Sequence, residues 1–432
     1  MSTTYFRSAI IHCLDDPQKS PDNAIAYFED GLLIVEDGKV IEVGDFKALK
    51  NNIVDTKALT HYPHHLLMPG LIDTHVHFPQ TEMIAAYGEQ LLGWLNTYTF
   101  PTETKFSDKA YCQKISQFFL NQLFQNGTTS ALVFGTVHPQ SVDAFFTEAE
   151  KYHCRMIAGK VMMDRNCPDD LQDTAETGYT ESLELIKKWH NKGRLSYAVT
   201  PRFAPTSSPL QLKRASELLK LYPDLYLHTH LAENQAECDW VRSLFPDSED
   251  YLAVYEQYGL LKKRSVMAHG IHLTDNAFQR LAKQQTAIAH CPSSNLFMGS
   301  GLFNLKQCEQ HGVPVGLGTD VGAGTSFSLL DTFADAYKVQ QLQGHKLSAF
   351  KGLYLNTLGG ARALDLEDKI GNFQQGKEAD FILLDLNSSE LLKLRLQHAK
   401  DLHDKLFALM LLANTQTVAA TYILGKPVFK QL

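Results

Sequence analysis

The sequence predicts an α/β protein: a closed (β/α)8 barrel of the TIM type, with a small β-sandwich domain contributed by both chain ends. Three observations predict it. In the middle of the chain, eight apolar strand-like runs alternate with amphipathic helical stretches, the pattern of parallel strands joined by crossover helices. That alternation occupies about 250 residues, the size of a closed barrel. Both ends instead carry short apolar, β-branched runs around glycine turns.

Taken in order, residues 25–43 read as strands separated by Asp30-Gly31 and Asp37-Gly38, both turn dipeptides. Barrel strands are expected at 71–77, 128–134, 154–162, 195–201, 225–230, 265–269, 286–291 and 313–320. Between the first two, residues 107–127 give a helix signal. Ser107 can cap it, Tyr111, Ile115, Phe118, Phe119 and Leu123 form one stripe, and Gly127 stops it. Residues 141–153 and 180–191 behave similarly. At the far end, 376–386 and 421–430 again read as strands around glycines. The implied boundaries are 1–68 and 366–432 for the two parts of the small domain and 69–365 for the barrel. An open doubly wound sheet is the competing arrangement.

Composition narrows the function classes. With 432 residues, 44% hydrophobic and 20% charged, the chain has ample material for a core and the balance of a soluble globular protein. Lys plus Arg is 40 against 48 for Asp plus Glu, a formal charge of −8, which offers no basic field for nucleic acid or anionic lipid. No apolar run approaches the roughly 18 residues of a membrane span. Residues 1–17 have no basic segment feeding a long apolar stretch, so a cytoplasmic location is expected. Seven cysteines without short paired spacing read as reduced, mostly buried thiols.

Chemistry concentrates at the predicted strand ends. His75 and His77 lie two apart on a strand and project from one face, so they can share a metal or be a pair of buried, hydrogen-bonded histidines. His230, His269 and Asp320 each close a later strand, where a barrel gathers its site. Imidazoles plus a carboxylate suit a divalent first-row ion such as zinc, which brings the pKa of a water to about 7. His228 lies one repeat deeper than His230 and reads as a hydrogen-bonding partner behind the ligands. Glu233, three residues past His230, is placed either to shuttle a proton or to sit in the first turn of the next helix. Cys291 reads as a small buried hydrophobe, and His61, His64, His65, His311 and His345 as ordinary loop or helix residues. The glycines around Asp320 match neither a Walker nor a Rossmann spacing.

The strings PGLIDTHVH, HLAE, AHG and GTD, in this order between β-rich ends, resemble the amidohydrolase superfamily of metal-dependent hydrolases and deaminases. HFPQ, WLNTYTFPTE, VTPRF, THLAEN, AHCPSSN and GLGTD are similar to the branch of that superfamily that deaminates guanine. The resemblance implies hydrolysis of the C2–N bond of guanine to xanthine and ammonia. It implies one zinc per chain, with iron the alternative, on His75, His77, His230 and Asp320. Catalytic roles fall to Glu233 as proton carrier, to Asp320, and to His269 as the group orienting the reacting centre. Gln80, Arg202 and Phe203 would hold the purine, Arg202 donating to the 6-oxo group that adenine lacks. Trp94 would wall the pocket or belong to the core. Two-metal members carry a carbamylated lysine at the end of the fourth strand. Here that end reads Thr200-Pro201-Arg202, and Lys160 lies in the third strand, where a structural cation is expected. The resemblance further implies a homodimer. Competing functions are a deaminase or hydrolase of another heterocycle in the superfamily, and a non-catalytic scaffold barrel.

Overall fold

The structure is a computed structural model that describes residues 3–88 and 90–431. The amino-terminal part supplies β1 (Thr3–Cys13), β2 (Ile25–Glu36), β3 (Lys39–Asp45) and β4 (Leu59–Pro69). The barrel strands are β5 (Leu71–His77), β6 (Thr128–Phe134), β7 (Arg155–Gly159), β8 (Val161–Met162), β9 (Ser196–Pro201), β10 (Tyr226–Leu231), β11 (Ser265–His269), β12 (Ala287–His290) and β13 (Val315–Leu317). The carboxyl-terminal part adds β14 (Phe381–Asp385), β15 (Val418–Ile423) and β16 (Lys426–Lys430).

Both ends enter one seven-stranded sheet in the order β16-β15-β14-β4-β1-β2-β3. The segment just before β14 joins the hairpins at the two ends: Lys39, at the start of β3, bridges Glu378, Ala379 N donates to Gly38 O in the β2–β3 turn, and Gly425 N in the β15–β16 turn donates to Ala379 O. The expected sandwich is therefore one sheet folded over itself, around Phe6, Leu33, Val40, Leu67, Phe381 and Tyr422. Asp37-Gly38 is the turn it reads as, with φ of 48° and 79°, the signs a type I′ hairpin requires. Asp30-Gly31 is not a turn. β2 runs straight through it, and the register to β1 slips between Ser8 and Ile10. A Cβ on Gly31 would fall 2.7 Å from the Ile10 side chain, so the glycine marks an irregularity in the pairing where the Ile10 side chain packs over the strand. His61, His64 and His65 lie in β4, a strand whose polar first half hid it.

The barrel strands pair in parallel from β5 through β6, β7, β9, β10, β11 and β12 to β13. Closure comes from side-chain and backbone bonds between β5 and the segment after β13. Thr74 Oγ1 donates to Leu317 O at 2.9 Å, Asp320 N to His75 O at 2.9 Å, and His77 N to Val321 O at 2.9 Å. Asp73 accepts from the backbone N–H groups of both His75 and Thr319, tying the same two segments. Strand alternation divides the core. Ile72, Leu132, Ile157, Ala198, Tyr226, Val266 and Ala287 point inward and plug the barrel. Neighbours one residue along, such as Val133, Met156, Val199, Leu227 and Ile288, face the helices. Each such side chain contributes about 1.5–3 kcal/mol on burial.

Several boundaries move. The helix expected at 107–127 is Lys109–Gln125, capped by Asp108, whose carboxylate accepts from Ala110 N at 2.8 Å; Ser107 belongs to the preceding turn. Its buried face is Cys112, Ile115, Phe119, Leu120 and Leu123, with Phe118 on the solvent side. The other two helices are Pro139–Lys151 and Ala175–Trp189, each starting earlier than the apolar stripe alone indicates. The third barrel strand breaks at Lys160, and the eighth is only three residues long because Gly318 to Asp320 turn into the site.

Candidate metal centre and active site

The carboxyl ends of the strands deliver five side chains to one point. His75 and His77 come from β5, His230 from β10, His269 from the last residue of β11, and Asp320 from just beyond β13. His269 and Asp320 have φ of 73° and 50°, left-handed conformations that cost about 1–3 kcal/mol each in non-glycine residues. The chain there is held by the Asp320 N to His75 O bond and by Gly270 N donating to Leu231 O at 2.8 Å.

Their donor atoms form a tight set. His77 Nε2 is 3.2 Å from both His75 Nε2 and His230 Nε2, and Asp320 Oδ1 is 3.1 Å from His75 Nε2 and 3.3 Å from His77 Nε2. A tetrahedral ion with bonds of about 2.0–2.1 Å has ligand-to-ligand edges of about 3.3 Å. His75, His230, His269 and Asp320 also form a set whose ligand atoms lie within 4.8 Å of one another, and His269 Nε2 is buried without a hydrogen-bond partner. Five donors thus converge. The chemistry of the set agrees with a cation: burial pushes His77 down to about 3 and His75 and His230 below the usual imidazole range, so their lone pairs are free at neutral pH. The Asp320 carboxyl is held well below its ordinary range; burial opposes this, and the imidazoles of His75 and His77 outweigh it.

Groups behind the donors fix their orientation. His75 Nδ1 lies 2.7 Å from His228 Nε2, the place expected for that residue. His230 Nδ1 donates to the carbonyl of Arg202 at 2.8 Å, and His269 Nδ1 to Asn295 Oδ1 at 2.9 Å, so each ring turns its Nε2 toward the centre. Gln80 Nε2 is 3.1 Å from His77 Nδ1.

A small cavity opens over this centre, and Gln80, Trp94, Arg202, Phe203 and Glu233 line it together with His269 and Asp320. Trp94 both walls the cavity and is buried, its Nε1 donating to Ala86 O at 3.0 Å. Glu233 precedes the helix Gln235–Leu244, with Asn234 as the cap, so it belongs to the rim and not to a first turn. It is 4% exposed, with Oε2 at 3.4 Å from His269 Nε2 and Oε1 accepting from Ser300 Oγ at 3.5 Å. Burial, then the charges of Glu237 and Asp320, push its carboxyl well above the ordinary range, which favours the protonated form. Arg202 is 3% exposed and donates through Nη1 to Glu103 Oε2 at 2.8 Å.

Lys160 lies apart from these groups. Its Nζ pairs with Asp173 at 2.8 Å and Glu181 at 3.2 Å, fully buried, as a structural cation would. Cys291 is a buried free thiol, pushed far above its usual range by burial. Sequence reasoning assigned no role to Glu103, Asn295 or Ser300. The first two stand inside the motif strings WLNTYTFPTE and AHCPSSN, where a buried carboxylate and amide at a rim could have drawn notice; nothing marks Ser300.

A model of the amidohydrolase family matches residues 66–428. The guanine deaminase of Escherichia coli strain K12 is 52% identical over 422 residues, which cover 98% of this chain and 96% of that protein. The probable guanine deaminase of Deinococcus radiodurans is 40% identical over 433 residues, covering 98% of each. Among solved structures, that of E. coli guanine deaminase has a TM-score of 0.97 at 51% identity, over 99% of this chain and 100% of that one. Guanine deaminase of C. acetobutylicum, with guanine bound in its active site, has a TM-score of 0.90 at 29% identity over 99% and 100% of the two chains. With its barrel, its converging imidazoles and carboxylate, and a family match spanning most of its length, this chain belongs to the amidohydrolase family.

Proposed function

We propose that this protein is a metal-dependent enzyme that hydrolyses guanine to xanthine and ammonia, and that residues 69–365 form its catalytic barrel, with 1–68 and 366–432 as the flanking small domain. The observation that carries the reading is the composition of one cavity. A four-donor set sits at its floor, a buried carboxyl group on one side, and a buried guanidinium and amide on the other. The near full-length identity to guanine deaminases supports the same reading.

His75, His77, His230 and Asp320 hold a single zinc ion, and His269 faces the reacting group. Such an ion supplies Lewis acidity that makes a water nucleophilic near neutral pH. Arg202 donates to the 6-oxo group of the purine, Gln80 lies along its edge, and Phe203 and Trp94 cover its faces. Addition of water puts oxygen on C2 and a proton on N3; Glu233, neutral beforehand, gives that proton. Asp320 takes the proton that the water loses. The C2–amine bond then breaks: Glu233, now a carboxylate, takes the proton of the new C2 hydroxyl and passes it to the amine, which leaves as ammonia while the ring carbonyl of xanthine forms, and the proton held by Asp320 returns to Glu233. His269 Nε2, 3.4 Å from Glu233 and 3.7 Å from Asp320, orients the group between the two carboxyls. Lys160 is occupied by Asp173 and Glu181, which supports one metal and not two.

No helix among the described residues is long and apolar enough to cross a membrane. A cytoplasmic enzyme fits the seven free cysteines, and a homodimer completes the reading; sedimentation at twice the chain mass tests it. Incubation of the zinc-loaded protein with guanine tests the activity. Equal amounts of xanthine and ammonia are expected, whereas intact guanine with metal bound would return the substrate to the wider family.

A further inference from the structure

Arg202 and Gln80 come from opposite parts of the rim, one after β9 and the other after β5, yet one carboxylate ties them together. Glu103 lies on the short helix Phe100–Thr104 within the insertion between β5 and β6 and is completely buried. Its Oε2 accepts from Arg202 Nη1 at 2.8 Å and its Oε1 from Gln80 Nε2 at 3.2 Å. The Gln80 carbonyl is in turn held by Gly322 N at 3.2 Å, beside Asp320, and the Arg202 guanidinium lies 5.4 Å from the centre of the Phe100 ring. Glu103 itself does not line the cavity.

The geometry points to Glu103 as a positioning residue that sets the specificity of the site for an uncharged 6-oxo purine, an inference that rests on the function proposed above. Two physical consequences follow from a buried carboxylate in this place. It compensates the Arg202 charge, so the recognition wall is neutral as a unit and does not select an anionic ring. It also spends one of the five guanidinium N–H donors and one amide N–H, fixing Arg202 and Gln80 against each other at the cavity wall; the Gln80 nitrogen also meets His77 Nδ1, so the donors left for a ring are those of Arg202. Glu103 therefore acts on ring binding through Arg202 and Gln80, and not on proton transfer.

The substitution Glu103→Gln keeps the shape, but its amide has one oxygen for two donors, so either Arg202 or Gln80 loses its partner. The KM for guanine is expected to rise about 10- to 100-fold, the loss of one charge-assisted hydrogen bond, with kcat within threefold and metal content unchanged. Glu103→Asp keeps the charge but cannot span both contacts. It raises KM by about tenfold, and it carries the test alone if the Gln variant does not fold. Hypoxanthine, a 6-oxo purine without the leaving amine, gives an affinity that is independent of turnover and should fall by the same factors in calorimetry. Because only the Gln variant leaves Arg202 uncompensated, ionised xanthine should inhibit it more tightly, relative to hypoxanthine, than it inhibits the Asp variant. A KM unchanged in the folded variants, or a loss confined to kcat, would overturn the inference. Failure of the wild-type holoenzyme to turn over guanine would overturn the functional reading and this inference with it.

Discussion

Replacing Glu233 by Gln isolates proton transfer from everything else the site does. The side chain is buried and its carboxyl is held well above the ordinary range, so the protonated form is favoured and a neutral amide of the same shape mimics it. Its contacts are long ones, 3.5 Å to Ser300 Oγ and 3.4 Å to His269 Nε2, so stability should change by less than about 1 kcal/mol. Metal content should be unchanged, because Glu233 is not among the converging donors. Turnover is another matter. General acid–base catalysis contributes about 10²–10⁴ per positioned group, and in the proposed reaction Glu233 serves both the protonation of N3 and the departure of the amine. A fall in kcat of about 10³–10⁴ is expected, or about 4–5.5 kcal/mol on the barrier, with KM within threefold. Steady-state xanthine formation on metal-quantified protein measures it. The pH dependence supplies a second arm. In the proposed reaction the working form of Glu233 is protonated, so wild-type kcat should fall as pH rises through its raised pKa, and the Gln variant should lack that limb. Stability follows the same sign: above about 4.5 the unfolded chain loses this proton before the folded one does, so the wild type loses stability as pH rises toward the folded value and the variant does not. Turnover within tenfold of wild type would refute the assignment.

Other perturbations separate recognition, scaffold and metal. Arg202→Gln should raise the KM for guanine and lessen the discrimination against 6-amino purines, measured as the ratio of kcat/KM values; an unchanged ratio would remove Arg202 from recognition. Lys160→Met leaves Asp173 buried without its cation and should cost about 3–5 kcal/mol in denaturant unfolding, with metal stoichiometry still one per folded chain. A drop to zero metal in that folded variant would instead make Lys160 part of the centre. Asp320→Ala should abolish metal retention on dialysis, and elemental analysis at wild-type occupancy would contradict its place among the donors.

Where strand ends carry chemically unusual residues, the sequence is directly readable. His75, His77, His230, His269 and Asp320 close apolar runs, and barrel closure does the rest: the ligand atoms of His75, His230, His269 and Asp320 lie within 4.8 Å of one another, and His77 Nε2 is 3.2 Å from His75 Nε2. The limits of elements are less legible. The dipeptide Asp30-Gly31 has the chemistry of a turn, but pairing with β1 overrides it. Asp108, not Ser107, caps its helix because the chain between them is still in the preceding turn. β4 was hidden because half its residues are polar and face outward. Glu103, Asn295 and Ser300 could not be assigned from spacing, since each meets its partner across the barrel rim at a distance in sequence: 99 residues for Glu103 and Arg202, 26 for His269 and Asn295, and 67 for Glu233 and Ser300.

The central claim is that one cavity joins a metal centre to a wall reading a 6-oxo purine, and a comparison of substrates tests it most directly. Metal-loaded and chelated protein would be given guanine, adenine, cytosine and a triazine, with ammonia release and the ultraviolet change to xanthine followed in parallel. The account predicts turnover of guanine that disappears with the metal, and a kcat/KM for adenine lower by at least about 10⁴, since a buried guanidinium would be left unpaired. Comparable turnover of adenine, or none of guanine with one metal bound per chain, would contradict it.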